Sequence, residues 1–311
     1  MTLQLDYSDI QQAAARIAPM VRRTTVLVSL KLNDLLNAQV WLKCEHLQHT
    51  NAFKYRGACN ALLQLNEVER ARGVVTVSSG NHGAALAAAG QELNIPVRVG
   101  IAENASPLKR ANMARYGAEL ITIAPGMAAR EAFIDEQQPS GRIVIPPYDH
   151  PHIIAGQGTA THELLQEQPR LDCVIAPLGG GGLLSGTALA AKALGVKKVY
   201  GVEPELAADG QASFRTGKRQ PAMPPLSICD GLLTNLGEHT FPIIQHYVDD
   251  ILVVSDADVA TAQRLVFDVT EQLIEPSSAT VIAAIKRYPK LFKDQRIGVI
   301  ISGGNCLPLD Q

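Results

Sequence analysis

Short β-branched runs alternate with stretches of helical composition along most of this chain, and that alternation limits the fold more than any other feature. Val74 to Val77, Val97 to Ile101, Leu120 to Ile123, Arg142 to Ile145, Cys173 to Ala176, Lys198 to Val202, Ile251 to Val254 and Arg296 to Ile301 read as strands. Helices are expected between them: Asn81 to Glu92, Ser106-Pro107 to Gly117, Ala128 to Glu136, Gly156 to Glu167, Leu183 to Leu194, Asp256 towards Leu273, and again after Ser277. Strands that are apolar throughout need cover on both faces, as parallel strands have. The expected fold class is α/β, with open parallel-type sheets covered by helices. Pro146-Pro147 breaks the series and marks a crossing between domains.

Composition narrows the function classes. Apolar residues make up 46% of the 311 and charged residues 19%, enough for a large core and too few charges for a disordered chain. A net charge of −2 with no basic run argues against nucleic-acid and membrane-surface partners. The five cysteines are scattered without a CxxC pair, which reads as thiols in a reducing cytosol. The N-terminus carries Asp6 and Asp9 where a signal peptide would be basic or apolar, and no apolar run reaches the roughly 18 residues of a membrane span. A soluble cytoplasmic protein is expected.

One lysine stands out. Lys54 lies in His49-Thr50-Asn51-Ala52-Phe53-Lys54-Tyr55-Arg56-Gly57-Ala58, where desolvation or the nearby Arg56 would disfavour its charged form, and a neutral amine is a nucleophile. Alone, it reads first as a solvated helix start. Glycine-containing motifs elsewhere supply complementary parts. Gly179-Gly180-Gly181-Gly182-Leu183 lies between an expected strand and helix, where successive N–H groups form a phosphate cradle. The dinucleotide fingerprint fails because Ser185 stands at its last glycine position, and the P-loop fails because no lysine follows Gly186. A small phosphorylated cofactor fits better than a nucleotide.

Ser78-Ser79-Gly80-Asn81-His82-Gly83 opens a helix with hydroxyls, an amide and N–H groups suited to a substrate carboxylate, or to an ordinary polar cap. Ser302-Gly303-Gly304-Asn305 follows the last strand at a carboxyl edge, where ligands bind in open sheets; a simple turn is the alternative. Glu203, Glu205 and Asp209 form an acidic cluster that could hold a hard cation or be solvated loop carboxylates. Glu275-Pro276 reads as a helix end, and Arg130, read alone, as a surface residue.

In this order, the blocks AFKYRGA, SSGNHG, IAGQGT, PLGGGGLLSG, GVEP, LIEPSSA and SGGN resemble the pyridoxal-phosphate enzymes of fold type II, most closely the threonine/serine dehydratase and serine racemase branch. The resemblance implies a tryptophan synthase β-like fold, with a large domain of 1–66 and 150–311 and a small mobile domain of 67–149. It implies that Lys54 links to the cofactor aldehyde and acts as base at the substrate α-carbon, with Phe53 against the ring. Asn81 would meet the phenolic oxygen, Gly179, Gly180, Gly181, Gly182 and Leu183 the phosphate, and Ser302 the ring nitrogen. Ser78, Ser79, Asn81 and His82 would line the carboxylate site, with Ser79 opposite Lys54 as the racemase acid/base serine. Glu203, Asp209 and the Ala207 carbonyl match a divalent-cation site for Mg²⁺ or a similar ion, Glu275 lies near the ring, and Arg130 matches a position near the distal substrate group.

The activity implied is an ammonia-lyase that converts L-threonine, L-serine or 3-hydroxyaspartate to a 2-oxo acid and ammonia, in a homodimer. A racemase using Lys54 and Ser79 is the alternative, and a non-catalytic cofactor-binding regulatory protein is the alternative from another class. Three departures from the family stand out. Asn51-Ala52 replaces the usual Gly-Ser before Phe53, Tyr148 replaces an Asn, and Ala84 and Glu271 stand where ATP-responsive racemases have Gln and Lys. ATP activation is therefore not expected. The sequence ends six residues after Asn305, so the regulatory domain of biosynthetic threonine dehydratases is not expected either.

Overall fold

The computed structural model describes residues 5–78, 80–105 and 107–309; Ser79, expected in the carboxylate loop, and Ser106, expected to cap a helix, lie outside them. The described strands are β1 (Val26–Leu27), β2 (Gln39–Cys44), β3 (Val74–Val77), β4 (Val97–Ala102), β5 (Glu119–Ile123), β6 (Ile143–Val144), β7 (Cys173–Pro177), β8 (Lys198–Pro204), β9 (Asp250–Val254) and β10 (Arg296–Ile301). They form a six-stranded sheet in the order β1-β2-β10-β7-β8-β9 and a four-stranded sheet in the order β5-β4-β3-β6. Every pairing is parallel except that of β1 with β2.

The continuous apolar runs are explained by burial on both faces. Ile297, Val299 and Ile301 of β10 pack with Leu42, Ile175, Val202 and Leu252 under Val281 and Ile285 of the Pro276–Arg287 helix. Ile300, Val174, Val199 and Ile251 point the other way, into Leu164 and Leu184 of the helices Pro151–Glu167 and Gly182–Ala193. The smaller sheet packs Val74, Val97 and Val99 against the Ala-rich Asn81–Leu93 helix and against Ala58 and Leu62 of the Lys54–Leu63 helix.

Three helices set the spacing of the site through glycine contacts. A Cβ on Gly156 would lie 2.6 Å from the Gly57 Cα, and one on Gly186 2.5 Å from the Gly158 nitrogen. Pro151–Glu167 thus holds the helix that starts at Lys54 on one side and the helix that starts at Gly182 on the other. Because Gly186 meets backbone rather than a side chain that could yield, Gly186→Ala should cost about 1–3 kcal/mol through overpacking. Thermal unfolding reads this directly, and an unchanged midpoint would contradict the close contact.

Candidate active site

The loops after β3, β7, β8 and β10 gather at the carboxyl edges of their strands, the place where open parallel sheets bind ligands. Lys54 enters from the start of the Lys54–Leu63 helix, which no side chain caps. Its approach is set by backbone pairing: Phe53 N–H donates to the Ser302 carbonyl at 3.0 Å, and Ala52 bridges Gly303. Thr50 and Asn51 take left-handed φ values of 59° and 56° to make this entry. Asn tolerates that region better than most residues, which gives a local reason for Asn51 where the family has Gly. Ala52 is fully buried.

Lys54 Nζ donates to the Pro147 carbonyl at 2.6 Å and lies 5.1 Å from the Phe53 ring centroid. Burial pushes its pKa down to about 8, against the opposing pull of Glu275. Arg56 is not the cause. Its guanidinium turns away into a buried network, bonding Glu45 at 2.7 and 2.9 Å and Glu163 at 2.7 and 2.8 Å.

The glycine loop runs from β7 into the Gly182–Ala193 helix. Gly181 has φ +92°, which L side chains rarely adopt, and no side chain caps the helix, so its first N–H groups are left for a ligand. The ring of Tyr148 lies against Gly180, while the Tyr148 backbone lies against Gly182. Thr240 Oγ1 donates to the Gly180 carbonyl at 2.8 Å. Leu183 is buried at the start of the same helix. A glycine turn with uncapped N–H groups and an amine of lowered proton affinity together fit a phosphorylated aldehyde cofactor.

Around Lys54, polar side chains from both sheets meet. Asn81 Nδ2 donates to both oxygens of Glu275 at 3.1 Å, and Asn81 Oδ1 accepts from Asn305 Nδ2 at 2.9 Å. Burial raises the Glu275 carboxyl to about 7, eased by the Asn81 amide. Glu275 does not end a helix; it is the N-cap residue of Pro276–Arg287, with Pro276 in the first turn, where its missing N–H costs nothing. Ser302 is buried, and its hydroxyl lies 2.8 Å from that of Ser278, which accepts from Gly303 N–H at 2.7 Å. The sequence reading did not single out Ser278; its place in the first turn after Pro276 was the available signal.

In the serine loop, Ser78 Oγ accepts from Gly80 N–H at 3.2 Å and Gly83 N–H at 3.1 Å. His82 Nε2 lies 3.1 Å from the Ile145 carbonyl, which can only accept, so Nε2 carries the proton, and Nδ1 has no hydrogen-bond partner among the described residues. Burial pushes the His82 pKa down to about 3. The imidazole is neutral, so it brings no positive charge to an anion at this loop.

Arg130 sits half-buried in Met127–Gln137, with no hydrogen-bonded or ionic side-chain partner among the described residues. It is near enough to Tyr148 to counter part of the rise that burial gives the phenol.

Glu203 and Asp209 are both buried, as is Ala207 between them. Glu203 accepts from Gly210 N–H at 3.0 Å and Gln211 N–H at 2.7 Å, whereas neither oxygen of Asp209 makes a well-formed hydrogen bond among the described residues. Burial holds Glu203 well above the usual carboxylate range, with Asp209 adding to the rise, and burial raises Asp209 as well. Orphaned oxygens on one of two neighbouring buried acids are what an oxygen-liganded cation would relieve.

An α/β scaffold with a desolvated lysine and an open glycine cradle at one sheet edge is that of an enzyme using a small phosphorylated cofactor. The profile of the family described as pyridoxal-phosphate dependent enzyme matches residues 17–303, and the chain belongs to that family, with the fold of its type II members. The chain is 44% identical over 303 residues to an L-threo-3-hydroxyaspartate ammonia-lyase of Saccharomyces cerevisiae, covering 96% of this chain and 93% of the relative. It is also 44% identical over 302 residues to a serine racemase of Schizosaccharomyces pombe, covering 96% and 94%. The crystal structure of the serine racemase from Dictyostelium discoideum superposes with a TM-score of 0.93 at 40% identity, covering 98% of this chain and 100% of that one.

Proposed function

We propose that this protein is a pyridoxal-phosphate-dependent ammonia-lyase that removes water from a β-hydroxy amino acid and yields a 2-oxo acid and ammonia. The observation that carries the reading is Lys54: an amine with a pKa of about 8, held at the Pro147 carbonyl beside the glycine cradle. The N–H groups of Gly179, Gly180, Gly181, Gly182 and Leu183 bind the cofactor phosphate. Phe53 would pack beside the ring, Asn81 would bond its phenolic oxygen, and Ser302 would offer a neutral hydroxyl to the ring nitrogen. When bound, the cofactor supplies an electron sink that makes the substrate α-proton acidic.

The protein's own groups do the rest. The start of the Asn81–Leu93 helix and Ser78 hold the substrate carboxylate, with Ser79, and His82 takes part through its backbone N–H. Lys54 Nζ, neutral in a large fraction of molecules near pH 8, takes the α-proton. The β-hydroxyl takes up a proton, balancing the α-proton received by Lys54, and leaves as water; the released enamine hydrolyses to 2-oxo acid and ammonia. Arg130, which has no ionic or hydrogen-bonded side-chain partner among the described residues, favours 3-hydroxyaspartate, whose second carboxylate would pair with it. Residues 67–149 act as the small mobile domain closing on 1–66 and 150–311, in a cytoplasmic homodimer.

A panel of serine, threonine and 3-hydroxyaspartate should show the last as the best substrate. Arg130→Ala should lower its kcat/KM by about 10- to 100-fold, the value of a charged hydrogen bond, and affect serine little. Equal effects on all three substrates would sink the assignment. A serine racemase is the second reading, favoured by the equal identity to a racemase. Chiral analysis of the remaining amino acid separates the two, because only a racemase accumulates the D-isomer.

We also assign Glu203, Asp209 and the Ala207 carbonyl to a divalent cation such as Mg²⁺. Carboxyl pKa values raised by folding contribute stability at low pH that is lost as pH rises through the folded values. A cation bound to the ionised pair offsets that loss, so its stabilisation grows with pH. At roughly 100 times its dissociation constant, Mg²⁺ should add about 2.7 kcal/mol, and the rise in thermal midpoint should be larger near pH 8 than near pH 6. A midpoint indifferent to Mg²⁺ at both pH values would refute the site.

A further inference from the structure

Pro147, Tyr148 and Asp149 connect parts of the site that are far apart in the chain. The Pro147 carbonyl holds Lys54 Nζ at 2.6 Å, and Tyr148 covers Gly180 and Gly182. Asp149 reaches a third element. Its Oδ1 accepts from His239 N–H at 2.8 Å and Thr240 N–H at 3.1 Å, and its Oδ2 accepts from Glu238 N–H at 2.8 Å. These N–H groups open the Thr240–Tyr247 helix, which has no cap from its own neighbouring side chains. Asp149 supplies the missing acceptor and the negative charge that such a terminus favours. Gly237 passes so close that any Cβ there would collide with the Asp149 carboxylate.

The turn held by Asp149 delivers Thr240 to the glycine loop. Thr240 Oγ1 accepts from Gly237 N–H at 2.9 Å, so its one proton is free for the Gly180 carbonyl at 2.8 Å. The Thr240 side chain also fills the space where a Cβ of Gly181 would lie. The loop is thereby pinned from behind by a group that need not touch the ligand.

We infer that Asp149 and Thr240 are positioning residues for the cofactor phosphate: Asp149 fixes the 237–240 turn, and Thr240 locks the Gly180 peptide so that the cradle N–H groups stay aligned. The inference rests on the reading of Gly179–Leu183 as the phosphate cradle. A residue that only stabilised the fold would affect any ligand of this pocket alike. A residue acting on the cradle affects the phosphate selectively.

The test uses apoprotein of wild type, Asp149→Asn, Thr240→Val and Thr240→Ser, titrated by absorbance with pyridoxal 5′-phosphate and separately with pyridoxal, which has the same ring and aldehyde but no phosphate. Asp149→Asn and Thr240→Val should weaken phosphate-ester binding by about tenfold or more, as loss of a charged or buried hydrogen bond does. Pyridoxal binding should stay near the wild-type value, and Thr240→Ser should restore the phosphate preference. Equal losses for the two aldehydes, or an unchanged preference in Thr240→Val, would overturn the inference. Thr240→Val is isosteric and decides the matter if Asp149→Asn does not fold. Wild type that binds neither aldehyde would overturn the cradle reading itself, a distinguishable failure.

Discussion

Lys54→Ala is expected to reduce turnover by about a thousandfold or more while leaving a folded protein. Loss of a positioned acid/base group alone costs about 10²- to 10⁴-fold, and here the same amine also anchors the cofactor. The fold should survive because, among the described residues, the Lys54 side chain makes one hydrogen bond, to the Pro147 carbonyl, and lies against one ring, Phe53. Removing a desolvated amine of pKa about 8 also removes an unfavourable buried charge. Turnover and thermal midpoint measured on the same preparation test both halves. Residual activity above about a tenth of wild type would rule out Lys54 as the base.

Two residues on, Arg56→Met should have the opposite profile, a large loss of stability. Arg56 and Glu45 are wholly buried, and Glu163 nearly so. Lys43 joins them through Glu163 at 2.6 Å and the Thr24 carbonyl at 2.7 Å. In this group Arg56 is the only cation bonded to Glu45, so its removal leaves a buried carboxylate with the Thr24 hydroxyl but no countercharge. Breaking a buried pair in this way costs about 3–5 kcal/mol, which in a protein of this size lowers the midpoint by roughly 10 °C. The network also ties β2, the Lys54–Leu63 helix and the Pro151–Glu167 helix together, so cofactor retention should fall as well. A midpoint within about 2 °C of wild type would show that the network is not what holds these elements.

The Lys54–Arg56 pair shows how far the sequence could be read. The low proton affinity of Lys54 was expected from its apolar flanks, and burial produces it. Arg56, the other expected cause, is sequestered by acids at positions 45 and 163, a long-range outcome that local spacing does not encode. Strands buried on both faces were legible because their runs are almost wholly apolar, as in Cys173–Pro177 and from Ile297 to Ile301. Boundaries governed by caps were less so. The long helix is capped by Ser255 with Asp258 rather than by Asp256, and it stops at Glu271, which takes φ +58°. The short Thr240–Tyr247 helix escaped notice because its cap, Asp149, comes from another part of the chain.

The departure at Asn51-Ala52 also looks different in three dimensions. A change so near Lys54 would alter the substrate or cofactor edge only if its side chains faced the site. In the structure Asn51 is exposed in a left-handed turn and Ala52 is sealed in a bridge to Gly303. Both positions shape the path of the chain into Lys54.

The most direct test of the account is reductive trapping with borohydride of protein loaded with pyridoxal 5′-phosphate, followed by peptide mapping. The account predicts one stoichiometric label, on the peptide carrying Lys54. A label on a different lysine, or none in protein that has bound the cofactor, would contradict it.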